Sequence, residues 1–141
     1  MMRLRAAARM FTAVTLLVAC NRSAAGSPEA VADAFADAYF GHADQAAAKP
    51  FTALGAAKML DDEIADTRAV RDSGYTPSEA NLNVKVDRGP RSSRGERVRF
   101  DYTVGYQGGV VKHADIELSQ VDGGWKVVRV GVGDSPAPAS S

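Results

Sequence analysis

The chain of 141 residues carries 17 basic and 17 acidic residues and a single cysteine. That balance lacks the basic excess of a nucleic-acid binder, and one cysteine cannot close an intrachain disulfide. About 120 residues beyond the opening segment suit one domain, long enough to build a core without disulfides or metal.

The first elements lie at the N-terminus. Arg3, Arg5 and Arg9 come before any acid, and the first acidic residue is Glu29. A mostly apolar run, Met10-Phe11-Thr12-Ala13-Val14-Thr15-Leu16-Leu17-Val18-Ala19, follows them. A basic start, a short apolar block and a small residue at its end make a secretory signal. The run falls well short of the about 20 apolar residues that a membrane-spanning helix needs. Its last four positions, Leu17-Val18-Ala19-Cys20, resemble the lipobox of bacterial lipoproteins. The resemblance implies cleavage before Cys20 and a diacylglyceryl group on its thiol, with palmitate-type acylation of the new amine in many bacteria. Two acyl chains anchor stably where one binds only marginally. Cys20 is thus the expected lipidation site, and membrane lipid the expected partner. Asn21, in place of Asp, favours the outer membrane under the enterobacterial sorting rule, if the host has one.

Residues 1–19 then read as a signal peptide and 20–27 as the lipidated cysteine with its tether. Loss of the first 19 residues removes three Arg and no acid, leaving 14 basic and 17 acidic residues. Residues 21–27 reach at most about 25 Å when extended, so the domain is expected close to the membrane.

The domain is expected over 28–134. Ser27-Pro28 opens a helix, with Ser as cap and Pro at the first helical position. Val31, Ala34, Phe35, Ala38 and Tyr39 recur at helical spacing, with Asp33 and Asp37 facing water and Gly41 as the stop. Asp44 caps a short helix over 45–49, which Pro50 ends. Thr52 is expected to cap a third helix, whose apolar stripe is Leu54, Ala57, Leu60 and Ile64. Arg68 and Arg71 suit its C-terminal dipole, and Gly74 closes it.

The period then changes from helix to strand. Leu82, Val84 and Val86 alternate with polar neighbours. The stretch 88–95, with two Gly, a Pro and two Ser, reads as a loop. Val98, Phe100, Tyr102, Val104 and Tyr106 alternate through a longer strand. Gln107-Gly108-Gly109 makes a hairpin turn. A third strand over 110–121 points Ala114, Ile116 and Leu118 inward. Asp122-Gly123-Gly124 makes another turn, and a fourth strand runs over 125–132. Apolar residues there fall on both faces, so its inner face is not assigned. Residues 135–141, rich in Ser, Pro and Ala, read as a disordered tail.

Helices first and then strands joined by short turns mean an α+β fold, with the helices packed on a curved antiparallel sheet of about four strands. With its opening helix, Pro28 to Phe35, and its closing Asp122-Gly123-Gly124-Trp125-Lys126-Val127-Val128, this order resembles the nuclear transport factor 2-like (cystatin-like) family of α+β cones. That family holds isomerases, cyclases and many non-catalytic binders, so the resemblance alone does not give a function.

An isomerase-like site needs a carboxylate base in an apolar pocket with donors for an oxyanion. Asp101, Asp115 and Glu117 alternate with the apolar sets and are expected on the outer face. Tyr39, Tyr102 and Tyr106 could line a pocket, though tyrosines are more often core or rim residues. His42, at a helix end, and His113, on a strand's wet side, lack the partners a metal site requires. Gly108-Gly109 and Gly123-Gly124 are turn pairs without the helix a phosphate loop needs. Arg88, Arg91, Arg94, Arg97 and Arg99 could meet anionic headgroups, or could simply solvate a strand edge. The expectation is a lipid-anchored lipoprotein of the cell envelope, without cofactor, whose domain binds an envelope protein or small ligand. The alternative is a small isomerase- or cyclase-like envelope enzyme.

Overall fold

The computed structural model describes residues 26–74 and 83–133. Cys20, the signal segment, most of the tether, Leu82 and the tail from Ser135 lie outside them.

Helix α1 (Pro28–Ala36) starts as its residues dictate: Ala30 N–H donates to Ser27 Oγ at 3.1 Å, with Pro28 in the first turn. Its buried face is Val31, Ala32, Phe35 and Ala36, whereas Ala34 is only half-buried. The chain stays helical to Gly41, but residues Asp37–Gly41 form a wider π-helical turn in which His42 N–H donates to Asp37 O at 3.0 Å. Asp44 caps α2 (Gln45–Ala48) through Ala47 N–H at 3.0 Å. The α-helix ends just before Pro50, as expected, although the chain does not straighten there. Pro50 sits within a single 3₁₀ turn, Lys49–Phe51, where its missing N–H costs nothing.

Helix α3 (Leu54–Asp66) departs from expectation at its start. Thr52 does not cap it: Thr52 Oγ1 donates back to Lys49 O at 2.8 Å. Leu54 is 70% exposed, with a positive φ of 54°. The buried positions are Ala56 and Leu60. The reason is tertiary. Thr52 bridges Val127 in a parallel pairing, and Ala53 N–H donates to Val127 O at 2.9 Å. The chain must leave that bridge sharply, and the turn throws Leu54 outward. Helix α4 (Arg68–Asp72) follows after a break at Thr67.

Four strands, β1 (Lys85–Arg94), β2 (Arg97–Gly105), β3 (Val111–Val121) and β4 (Gly124–Gly133), form an antiparallel meander in the order β1-β2-β3-β4. The fold class is therefore α+β, as the order of elements implied. The expected loop over 88–95 is instead most of β1. Gly89 and Pro90 together oppose the single residue Asp101, making a bulge between the pairs Arg88–Tyr102 and Arg91–Phe100. A proline is tolerated there because β1 is an edge strand and its neighbour does not need that N–H.

The turn between β3 and β4 is the two-residue loop Asp122-Gly123. Its φ angles of 51° and 79° match the twist of the hairpin.

On the helix side of the sheet, Val98, Phe100, Tyr102, Val104, Ala114, Ile116, Leu118 and Val127 are buried, as alternation predicted for β2 and β3. Strand β4 resolves its own ambiguity through a bulge at Val128. Leu118 pairs with Val127, and Glu117 pairs with Arg129. Trp125 and Val127 face inward before the bulge, and Val130 and Val132 share that face after it. One extra residue shifts the parity, which is why apolar residues occur on both phases of the sequence.

Between sheet and helices, Phe35, Leu60, Phe100, Ile116, Leu118, Val104 and Val127 fill the core. Thr52 is the one buried polar residue among those described. No buried side-chain nitrogen or oxygen there lacks a hydrogen-bond partner.

Candidate functional site

Glu29, Asp33 and Asp37 stand four residues apart on α1 and the turn that extends it, so they line one face of the helix. That face meets the inner side of β1, where alternation and the bulge bring up Arg91, Arg88 and Val86. The match makes a ladder. Arg91 Nη1 donates to Glu29 Oε1. Arg88 Nη1 donates to Asp33 Oδ2 at 2.5 Å, and its guanidinium lies 5.7 Å above the Phe100 ring. The third rung has no arginine, because Val86 occupies the corresponding strand position. Among the described residues Asp37 has only His42 Nε2, at 3.6 Å, for an ion-pair contact.

At this third rung the surface opens into a cleft of about 330 Å³, lined by Asp33, Asp37, Val86, Asp87, Arg88 and Tyr102. The Tyr102 ring is in the core, but its hydroxyl reaches the cleft and donates to Asp33 Oδ1 at 2.8 Å. Burial, and then the hydrogen bond and charge of Asp33, push the Tyr102 phenol far above the usual tyrosine range. It is therefore a fixed donor. Asp87 is partnered by Lys85 at 3.1 Å. Asp33 is paired with Arg88 and Asp87 with Lys85, so Asp37 carries the unbalanced negative charge of the cleft. At Glu29, a hydrogen bond from its own backbone and then Arg91 hold the carboxyl below its ordinary value.

The residues singled out from sequence fall in several places. Asp101, Asp115 and Glu117 are on the outer face, as expected. There Arg97 reaches Glu117 at 2.6 Å, and Arg99 lies 3.4 Å from Asp101 and 3.8 Å from Asp115. Tyr39 stacks on Phe35 at 5.3 Å and donates to Glu63 Oε1 at 2.7 Å. Burial and the Glu63 bond raise its phenol as well. Tyr106 packs at the rim of the core. His42 is half-exposed, and His113 sits on the outer face opposite Thr103.

The five arginines do not form one patch. Arg88 and Arg91 turn inward to α1, and Arg97 and Arg99 pair on the opposite face. Asp33 is exposed, as expected, but it is not free: it lines the open cleft and is held there by Tyr102 and Arg88. Its signal was present in the sequence: an acidic ladder on a helix and arginines on a strand are complementary. What the sequence hid was the bulge that brings them into phase.

Cys20 lies outside the described residues. Among the described residues no group of three or more His, Cys, Asp or Glu could hold a metal ion. No helix among them is long and apolar enough to cross a membrane. Set beside known proteins, the chain matches no protein-family model and no curated protein sequence.

Proposed function

We propose that this chain is a bacterial lipoprotein, held at the cell envelope by lipid on Cys20, whose α+β domain is a non-catalytic binding module of the nuclear transport factor 2-like kind. The observation that carries the reading is Leu17-Val18-Ala19-Cys20 at the end of a basic-then-apolar leader, around the chain's single cysteine. The first described helix is capped by Ser27, seven residues after Cys20. That spacing leaves a short tether, and any partner must be reachable near the membrane surface. Asn21 after the cysteine favours the outer membrane where one exists.

The filled interior favours binding over an isomerase- or cyclase-like activity. Such chemistry needs a carboxylate base inside an apolar pocket. Here Phe35 and Phe100 occupy the interior, Trp125 packs at the edge of the same core, and the cleft carboxylates lie at the surface. Asp33 is already engaged by Tyr102 and Arg88, which suits a rigid recognition surface better than a proton shuttle. The cleft beside α1 is the contact site, with a cationic group of an envelope protein or small ligand as its complement.

Expression in a bacterium with labelled palmitate tests the anchor. Wild type should take up label and sediment with membranes, and Cys20→Ala should do neither. Equal behaviour of the two chains in both assays would overturn the reading.

A further inference from the structure

The two edges of the sheet are not equally protected. Exposed strand edges recruit other strands, and natural proteins blunt them with prolines, bulges and inward-pointing charges. Strand β1 has all three: the Gly89–Pro90 bulge and the inward Arg88 and Arg91. On β4 the outer edge is capped at one point, where Ala53 N–H meets Val127 O. From Arg129 to Gly133 no backbone hydrogen bond links β4 to any described element other than β3. This stretch has no proline and no bulge, and Val132 is 53% exposed.

Charge in this stretch is also unspent. Arg129 is exposed and has no ion-pair or hydrogen-bond partner among the described residues, since the Glu117 opposite it is taken by Arg97. Two residues on, Gly131 faces Asp115, and a Cβ built on Gly131 would overlap Asp115 Oδ1. The Asp115 carboxylate therefore leans across the glycine towards the open edge. Asp115 also lies 3.8 Å from Arg99.

We propose that the open half of β4 pairs antiparallel with the same segment of a second copy of this chain. With the pairing centred on Val130, Arg129 of each copy falls opposite Gly131 of the other. Neighbouring strands are about 4.8 Å apart, so Asp115 lies two strand spacings away, about 10 Å. Both side chains bridge that span because Gly131 puts nothing between them. Twofold symmetry makes the contact twice, Arg129 to Asp115 in each direction, as an isologous interface requires. The occupant is thus selected by charge in register as well as by an open edge. Arg129 is positioned for an acid one strand beyond its neighbour, and this chain supplies that acid under a glycine.

Two differently tagged full-length copies, expressed together and extracted in detergent, test the pairing. Recovering one tag should bring down the other. Arg129→Asp in both copies should reduce co-recovery at least tenfold, and so should Asp115→Arg in both. A mixed pair, one copy Arg129→Asp and the other Asp115→Arg, puts opposite charges at both contacts and should restore it. Arg129 is exposed and has no polar partner among the described residues, so its substitution should leave folding intact. Wild-type copies that fail to co-recover would overturn the proposal, as would Arg129→Asp copies that associate like wild type. So would a mixed pair that stays apart. Co-recovery that survives every substitution would point to shared micelles or to a third protein.

Discussion

Strands β1 and β4 both lie at an edge of the sheet, but they meet the helices by different means. Strand β1 faces α1 through Arg88–Asp33 and Arg91–Glu29, half-exposed pairs in reach of water and salt. Strand β4 faces the helical layer through Val127, fully buried, with Thr52 bridging it and Ala53 bonded to its carbonyl. Both are strands of ten residues in one sheet. The difference shows where burial carries the stability and where charge provides register and a surface for recognition. Hydrophobic burial is insensitive to dilute salt, whereas exposed ion pairs are weak and screened.

The largest expected effect is on the β4 side. Leu118 is fully buried and pairs with Val127. Leu118→Ala should destabilise the domain by about 2–5 kcal/mol. Denaturant unfolding should show this loss undiminished by added salt; a loss that salt abolishes would break the comparison.

A smaller effect is expected where the two means meet. Tyr102→Phe keeps the buried ring and removes the hydrogen bond to Asp33. The loss should be about 1.5–3 kcal/mol, the net worth of a hydrogen bond to a charged group. In an Asp33→Asn background the same substitution should cost less. The alkaline limb is a second readout. The Tyr102 phenol is raised in the folded state. Its contribution to stability is therefore complete below the ordinary tyrosine pKa and is lost as pH climbs above it. Tyr39 and Tyr102 should give phenolate absorbance only as the chain unfolds, and Tyr102→Phe should make that limb shallower. Early ionisation of both would contradict the buried, hydrogen-bonded placement.

Smaller still is the edge ladder. A double-mutant cycle on Arg91 and Glu29 should give a coupling of about 0.2–1 kcal/mol at low salt, vanishing at high salt. Coupling that persists in salt would mean β1 is held as firmly as β4. The pH dependence of Glu29 is the faintest signal. Its folded-state pKa is lowered, so its contribution is present above the ordinary glutamate range and disappears as pH falls through the depressed value. Glu29→Gln should flatten the acid limb of the stability curve slightly.

Most of the helix–strand order was readable from residue patterns, because each pattern has a local cause. Ser27-Pro28 and Asp44 start helices through caps that need no partner elsewhere. The alternation of Val98 to Val104 and the Asp122-Gly123 turn likewise depend on backbone geometry and one-sided burial. The cleft was only partly readable. Glu29, Asp33 and Asp37 are spaced for one helix face, and Arg88 and Arg91 are close in sequence. Three residues apart, however, those arginines do not share a strand face without a bulge.

Sequence alone determined the starts of α1 and α2, the alternation of β2 and β3 and the α+β class, because these follow from capping, alternation and turn chemistry within a few residues. It also carries the basis of the proposed anchor at Cys20. Tertiary structure decided what depends on a neighbour. Bridging to Val127 turned Leu54 outward and left Thr52 as a strand partner instead of a cap. An edge position let Gly89 and Pro90 sit within a strand. The bulge at Val128 set which face of β4 is inside. In each case the local preference was weak, and a contact distant in sequence settled it.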